Sequence, residues 1–268
     1  MNSLKSFVSI GAGNVAYHLC GGLTEKGFIL KQVFSRTKES GQYLSSKFHT
    51  KFTTSISEIF PDADFYIVSV SDNAITSLLS ELQIRDKLIM HTSGSMGINI
   101  FQNKFPKCGI LYPVQTFSKN TTLDLSGVPF IIEGSEPEIQ KSIMFIAGKL
   151  SNVVHVMESS QIKLIHIAAV IACNFTNYMY SSAYELLKDT GIDFKLLFPL
   201  MEETLKKAKS GNPASFQTGP ARRGDSNIIN EHIKTLSFKP DLQKFYTFIS
   251  DNIRDYFTIN HHKKNKDE

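Results

Sequence analysis

The chain has 268 residues, 29 of them Lys or Arg and 25 Asp or Glu; 41% are hydrophobic and the formal charge is +4. These values suit one large or two smaller globular domains and exclude disorder and low-complexity repeats. So small a surplus, evenly spread, argues against a nucleic-acid partner, and three cysteines without a Cys-x-x-Cys pair argue against a disulfide framework or a metal site.

The four-residue run Phe7–Ile10 is too short for the apolar part of a signal peptide. The most apolar helical run, Ile167 to Cys173, has seven residues, against the ~20 that cross a bilayer. The expectation is a soluble, cytoplasmic protein with no membrane segment.

Seven short apolar runs alternate with polar, helix-compatible stretches up to about residue 157. They are Phe7–Ile10, Phe28–Ser35, Phe65–Ser71, Lys87–His91, Gly109–Val114, Pro129–Glu133 and Val153–Met157. Continuous rather than alternating runs predict parallel strands covered on both faces, and hence an α/β, doubly wound sheet. From Ser159 the texture becomes helical. Ser159–Lys188 lacks Gly and Pro, and further helices are predicted over Phe194–Lys209, Ser226–Leu236 and Pro240–Phe257. We expect a nucleotide-binding domain over 1–157, an all-α domain over 158–260 and a charged, frayed tail over 261–268.

The first run leads into Gly11-Ala12-Gly13-Asn14-Val15-Ala16 and then a helix-compatible stretch. This G-x-G-x-x-A pattern lets a strand turn tightly into a helix whose N-terminus faces a pyrophosphate. Sites selective for NAD place an acid at the end of the second strand, about 20 residues on. Here that strand ends in Ser35-Arg36-Thr37. The missing carboxylate and the arginine favour NADP over NAD, although a solvated surface arginine is the plainer alternative.

The chain resembles a family with an N-terminal Rossmann-like domain and a C-terminal helical domain of unknown function, of the 6-phosphogluconate-dehydrogenase-like type. That family is similar to pyrroline-5-carboxylate reductases and deazaflavin-dependent NADP oxidoreductases. The resemblance rests on Gly11–Val15, His91-Thr92-Ser93-Gly94-Ser95, Tyr112–Phe117, His166–Asn174 and Thr218–Asp225. It implies an NADP-linked oxidoreductase, often dimeric through the helical domain. Two departures stand out. Hydroxyacid dehydrogenases of the wider group carry a catalytic Lys four residues before an Asn; Asn174 matches the Asn, but Val170 stands at the Lys position. Prephenate dehydrogenases have a His-Pro pair where this chain has Tyr112-Pro113.

In an open α/β sheet, ligands bind beyond the carboxyl ends of the strands. Ser69, Val70 and Ser71 are expected to border the nicotinamide side of the cofactor with Thr92, and Gln115 to face substrate. His91 could act as general acid or be a structural histidine within its strand; Ser93 could orient substrate. His166 and Asn174, eight residues apart on the long helix, interrupt a face that otherwise reads as core. Either they reach substrate or they make interhelical hydrogen bonds. Arg222 and Arg223 could clamp an anionic substrate, or could face solvent or a dimer partner while Asp225 caps a helix.

The sequence thus predicts an NADP-dependent reductase of a C=O or C=N bond, working as a homodimer with its substrate held between the two domains. The competing reading is a non-catalytic, dimeric NADP-binding redox sensor.

Overall fold

In β1 (Ser6–Ile10) and β4 (Phe65–Val68) every residue is apolar or small, and all are buried. Period-2 alternation sends Phe7, Phe65 and Ile67 to one face of the sheet and Val8, Ile10, Tyr66 and Val68 to the other. Both faces are therefore covered, which accounts for the continuous rather than alternating runs. A computed structural model describes residues 4–101 and 104–264. It divides the chain into two compact units, one ending at Phe175 and the other beginning at Thr176.

The first unit holds an eight-stranded sheet in the order β3-β2-β1-β4-β5-β6-β7-β8. The strands not yet placed are β2 (Ile29–Phe34), β3 (Lys51–Thr53), β5 (Leu88–His91), β6 (Cys108–Pro113), β7 (Phe130–Gly134) and β8 (Val154–Val156). Helices α1 (Asn14–Glu25), α2 (Lys38–Lys47), α3 (Asp72–Glu81) and α4 (Pro137–Leu150) cover the sheet. All seven predicted strands are present. The sequence reading missed β3, whose three residues are too few for periodicity to register.

Pairing is parallel except between β6 and β7, where Pro113 faces Phe130 and Gly109 faces Gly134 in an antiparallel ladder. Among the described residues no helix longer than one turn joins these two strands. A parallel step would need a crossover, normally a helix.

The long predicted helix is α5 (Ser159–Ala169), a π-helical turn over Val170–Phe175, and α6 (Thr176–Leu187). Glu158 and Gln161 form a capping box at its start. Ile162 anchors it on the sheet against Ile110, Tyr112 and Ile131. Otherwise this helix is not core, as its apolar face had suggested. Leu164, Ile167, Ile171, Phe175 and Tyr178 are all exposed. It is also the one helix among the described residues long and apolar enough to cross a membrane. Its best 18-residue window has a mean hydropathy of 1.2, a property that counting only unbroken apolar runs had missed.

The second unit continues with α7 (Phe198–Ser210), the single turn α8 (Pro220–Arg223), α9 (Ser226–Thr235) and α10 (Pro240–Lys264). Pro199 sits in the first turn of α7, where its missing N–H costs nothing. The expected tail remains helical to Lys264; positions 265–268 lie outside the described residues. Only Ala221, Ile229 and Leu236 are buried apolar side chains in this unit, among the described residues. That is far too little for a helical domain to stand alone.

Candidate active site

Gly11 ends β1 with φ +124, donating its N–H to the Phe34 carbonyl at 2.8 Å. A Cβ there would run into the Ser69 carbonyl oxygen, so close approach and backbone conformation both demand glycine. Gly13 differs. Its φ of −80 and ψ of −168 suit any residue, and a Cβ built on it would meet no atom within 4 Å. Nothing in the protein explains glycine at 13, whereas a dinucleotide lying against the helix N-terminus does. Ala16, in the first turn of α1, is buried, and that turn carries no acidic side chain. The loop therefore fits the phosphates of a dinucleotide.

At the end of β2, Ser35 is buried and accepts a hydrogen bond from the Thr37 N–H at 3.4 Å. Arg36 and Thr37 are exposed, and Arg36 makes no ion pair among the described residues. Across the strand ends, the Thr92 hydroxyl donates to the Ser69 hydroxyl at 3.2 Å. Ser71 sits at the N-cap of α3.

A cavity of about 520 Å³ opens from this loop, lined by Gly13, Asn14, Val15, Ser69, Val70, Thr92, Ser93 and Gly94. Its remaining wall comes from Asp72, from Tyr112–Phe117 and from His166, Ala169, Val170, Cys173 and Asn174 of the long helix. Every one of these residues belongs to the first unit. Val170, at the position of the missing lysine, gives the wall an apolar patch.

The most specific feature is a pair 54 residues apart: Tyr112 Oη lies 3.2 Å from His166 Nδ1, with the rings edge to face. Burial raises the Tyr112 phenol above its ordinary pKa, keeping it protonated. Gly94 makes room for the pair, since a Cβ there would press on both the Tyr112 ring and His166. The sequence pointed to His166 but not to Tyr112 as a site residue. The Tyr-Pro in place of His-Pro was the available signal.

The structure keeps Ser93 at the cavity but commits its hydroxyl oxygen to the turn, accepting from the Ser95 N–H at 3.1 Å and the Met96 N–H at 3.2 Å. Asn174 lines the cavity from the π-turn, but it is exposed, so the argument that a buried amide needs partners does not apply to it. Such turns are frequent at functional sites. The Gln115 side-chain Oε1 accepts from the Thr116 N–H at 2.7 Å.

His91 is not brought to the cavity. It is wholly buried in β5, stacked on Phe101, with Nδ1 accepting from the Ser93 N–H at 3.2 Å and Nε2 making no hydrogen bond of ordinary geometry. A general acid needs to reach its substrate, so this position suits a structural histidine instead. Burial pushes its pKa from 6.5 down to about 4, outweighing opposing pulls from the Gly97 backbone and Asp72. An unfolded chain would bind this proton first, so stability conferred by the neutral ring is complete above about 6.5 and is lost as pH falls through about 4. Chemical denaturation across that window is expected to give a flatter pH profile for His91→Gln, by up to about 3 kcal/mol. An unchanged slope would show that another group dominates.

Arg222 and Arg223 lie in the second unit, on α8. The Arg222 guanidinium sits 4.2 Å above the Phe257 ring, while Arg223 is exposed. Among the described residues no group of His, Cys, Asp and Glu is arranged to hold a metal.

Residues 7–93 match the family model described as NADP oxidoreductase, coenzyme F420-dependent, and residues 128–253 match a domain of unknown function. No curated protein matches the chain. A Bacteroides fragilis structure described as an NADP oxidoreductase is 41% identical, with a TM-score of 0.89, over 94% of this chain and 98% of that one. A 1-pyrroline-5-carboxylate reductase from Streptococcus pyogenes shares the fold at 11% identity and a TM-score of 0.60, over 93% and 98%. So does an imine reductase from Myxococcus stipitatus in complex with NADP+, at 13% identity and a TM-score of 0.63, over 96% and 94%. With almost its whole length shared at 41% identity, the chain belongs to the same NADP oxidoreductase family as the Bacteroides fragilis protein, a Rossmann-like domain followed by a helical domain of unknown function.

Proposed function

We propose that the protein is an NADPH-dependent reductase of a C=N or C=O bond in a small molecule. The observation that carries this reading is the Tyr112–His166 pair, set in a cavity that begins at the unexplained glycine of the phosphate loop. Reduction needs a hydride and a proton. When bound, the dihydronicotinamide supplies the hydride; Tyr112 is placed to supply the proton. With the imidazole hydrogen on Nδ1 and donated to Tyr112 Oη, the phenolic hydrogen is free to point into the cavity. As that proton moves to the substrate nitrogen or oxygen, the same Nδ1–H stabilises the phenolate until solvent restores the proton. The apolar Val170 makes a lysine-assisted hydroxyacid oxidation a poor fit.

NADP rather than NAD is supported by Arg36, exposed at the end of a strand with no acid and without an ion pair among the described residues. That the substrate carries an anionic group is supported by the sequence alone, through Arg222 and Arg223 in the Gly219–Asp225 segment. A homodimer is supported by the small core of the second unit and by the apolar face of the long helix. A membrane is a poor alternative cover for that helix. Ile162 packs on the sheet, and His166 is hydrogen-bonded to a strand residue.

A screen of cyclic imines and keto acids with NADPH, followed at 340 nm, tests the function. Turnover of at least one class is expected, with NADH slower. Tight NADPH binding with no turnover of either class would favour a redox sensor instead. The dimer is checked in the same preparation by sedimentation.

A further inference from the structure

After β6 the chain does not leave the cofactor edge of the sheet; residues 115–119 fold back over the start of α1. Three side chains fasten them there. Asn14 Nδ2 donates to the Phe117 carbonyl at 3.0 Å, the His18 ring N–H to the Ser118 carbonyl at 2.8 Å, and Lys119 Nζ to the Ala12 carbonyl at 2.8 Å. The Lys119 ammonium also lies 5.2 Å from the Tyr43 ring centroid.

A cation is thus held against the glycine loop, beside a helix end whose backbone dipole is itself positive. Two positive features share this place. The first turn of α1 has no Asp or Glu, and Lys119 joins no ion pair among the described residues. Such an arrangement is repulsive on its own and becomes favourable once an anion joins it. Gly13, one residue from the carbonyl that Lys119 holds, has open space where a Cβ would stand, and Lys119 itself lines a neighbouring cavity with Tyr17, His18 and Gly21.

We propose that Lys119 is a ligand of the dinucleotide pyrophosphate, its Ala12 bond serving to park the ammonium at the loop. The proposal rests on the dinucleotide reading above and adds a division of labour to it. Lys119 takes the phosphates common to NADPH and NADH, and Arg36 takes the 2′-phosphate that separates them. The segment carrying Lys119 becomes a strap across the phosphate loop, continuous with the Gln115–Phe117 wall of the cavity.

The chain has no Trp, so the fluorescence of the reduced nicotinamide itself reports binding without interference. Lys119→Met is expected to weaken NADPH and NADH alike, by about tenfold each. Lys119→Arg, which keeps the charge, should bind nearly as the wild type does. Calorimetry with adenosine 2′-monophosphate, which lacks the pyrophosphate, should show no change for Lys119→Met. Arg36→Ala should give the opposite pattern, losing NADPH and adenosine 2′-monophosphate while sparing NADH. The proposal is overturned if Lys119→Met binds both dinucleotides normally, if its loss is confined to NADPH, or if the loss extends to adenosine 2′-monophosphate. That last result would mean a merely structural strap. Failure of the wild type to bind either dinucleotide would instead defeat the cofactor reading itself.

Discussion

Tyr112→Phe should lower kcat by about 10²–10⁴-fold while leaving the NADPH dissociation constant unchanged. The substitution removes one oxygen from a buried ring and keeps its packing, so loss of folding is not an expected complication. What disappears is the hydroxyl within 3.2 Å of His166 Nδ1. His166→Ala should cost less, because the phenol remains and loses only the N–H that stabilises its anion. His166→Asn, whose side-chain amide can occupy the place of Nδ1, should recover part of that loss. Because the two groups act as one unit, the double variant Tyr112→Phe/His166→Ala should be little worse than Tyr112→Phe alone. Additive losses would mean that the residues act separately, and a fully active Tyr112→Phe would remove the phenol from the mechanism.

Gly13→Ala and Gly11→Ala should separate binding from folding. At Gly13 the backbone is ordinary and no protein atom lies within 4 Å of the new methyl group, so stability should change by no more than about 1 kcal/mol, the scale of N-cap preferences. The methyl would stand where the dinucleotide must approach. Overpacking of that kind is worth about 1–3 kcal/mol, or roughly five- to hundredfold in affinity. At Gly11 the new methyl meets the backbone of Ser69 at a φ of +124, and a loss of about 3 kcal/mol or more in folding stability is expected. Thermal melts and NADPH titrations on the two variants would read this contrast directly. Equal effects on folding would show that Gly13 is there for the chain and not for a ligand.

Local features of this protein were legible in the sequence because their cause is local. The glycine loop announces itself by the spacing of Gly11, Gly13 and Ala16, and the buried strands by apolar runs on both faces. Arg36 could be noticed because the position it occupies is fixed by counting from those glycines. The chemistry of the cavity was harder, since Tyr112 and His166 come together only through the packing of α5 on β6. Lys119 was invisible for the same reason: nothing in Phe117-Ser118-Lys119 points to the carbonyl of Ala12. The long helix misled in the other direction. An apolar face satisfies the same pattern whether it is covered by its own chain or left on the surface, and periodicity cannot tell which. The placing of His91 was not legible, because a strand residue next to a functional loop can face either way, and this one is buried facing Phe101.

The reversal between β6 and β7 bears on all of this. Had β7 run parallel to β6, residues 114–129 would have had to descend to the far edge of the sheet before the next strand could begin. Running antiparallel, β7 starts where β6 stops, so the connection leaves and returns at the edge where ligands bind, its middle lying along α1 against Gly22 and Lys26. The chain thereby gains a length of connection anchored in the core by Leu125 and Val128, whose exposed residues at the working edge are open to exchange without disturbing the sheet. Differences in substrate or cofactor preference among relatives of this fold are expected to concentrate in that stretch.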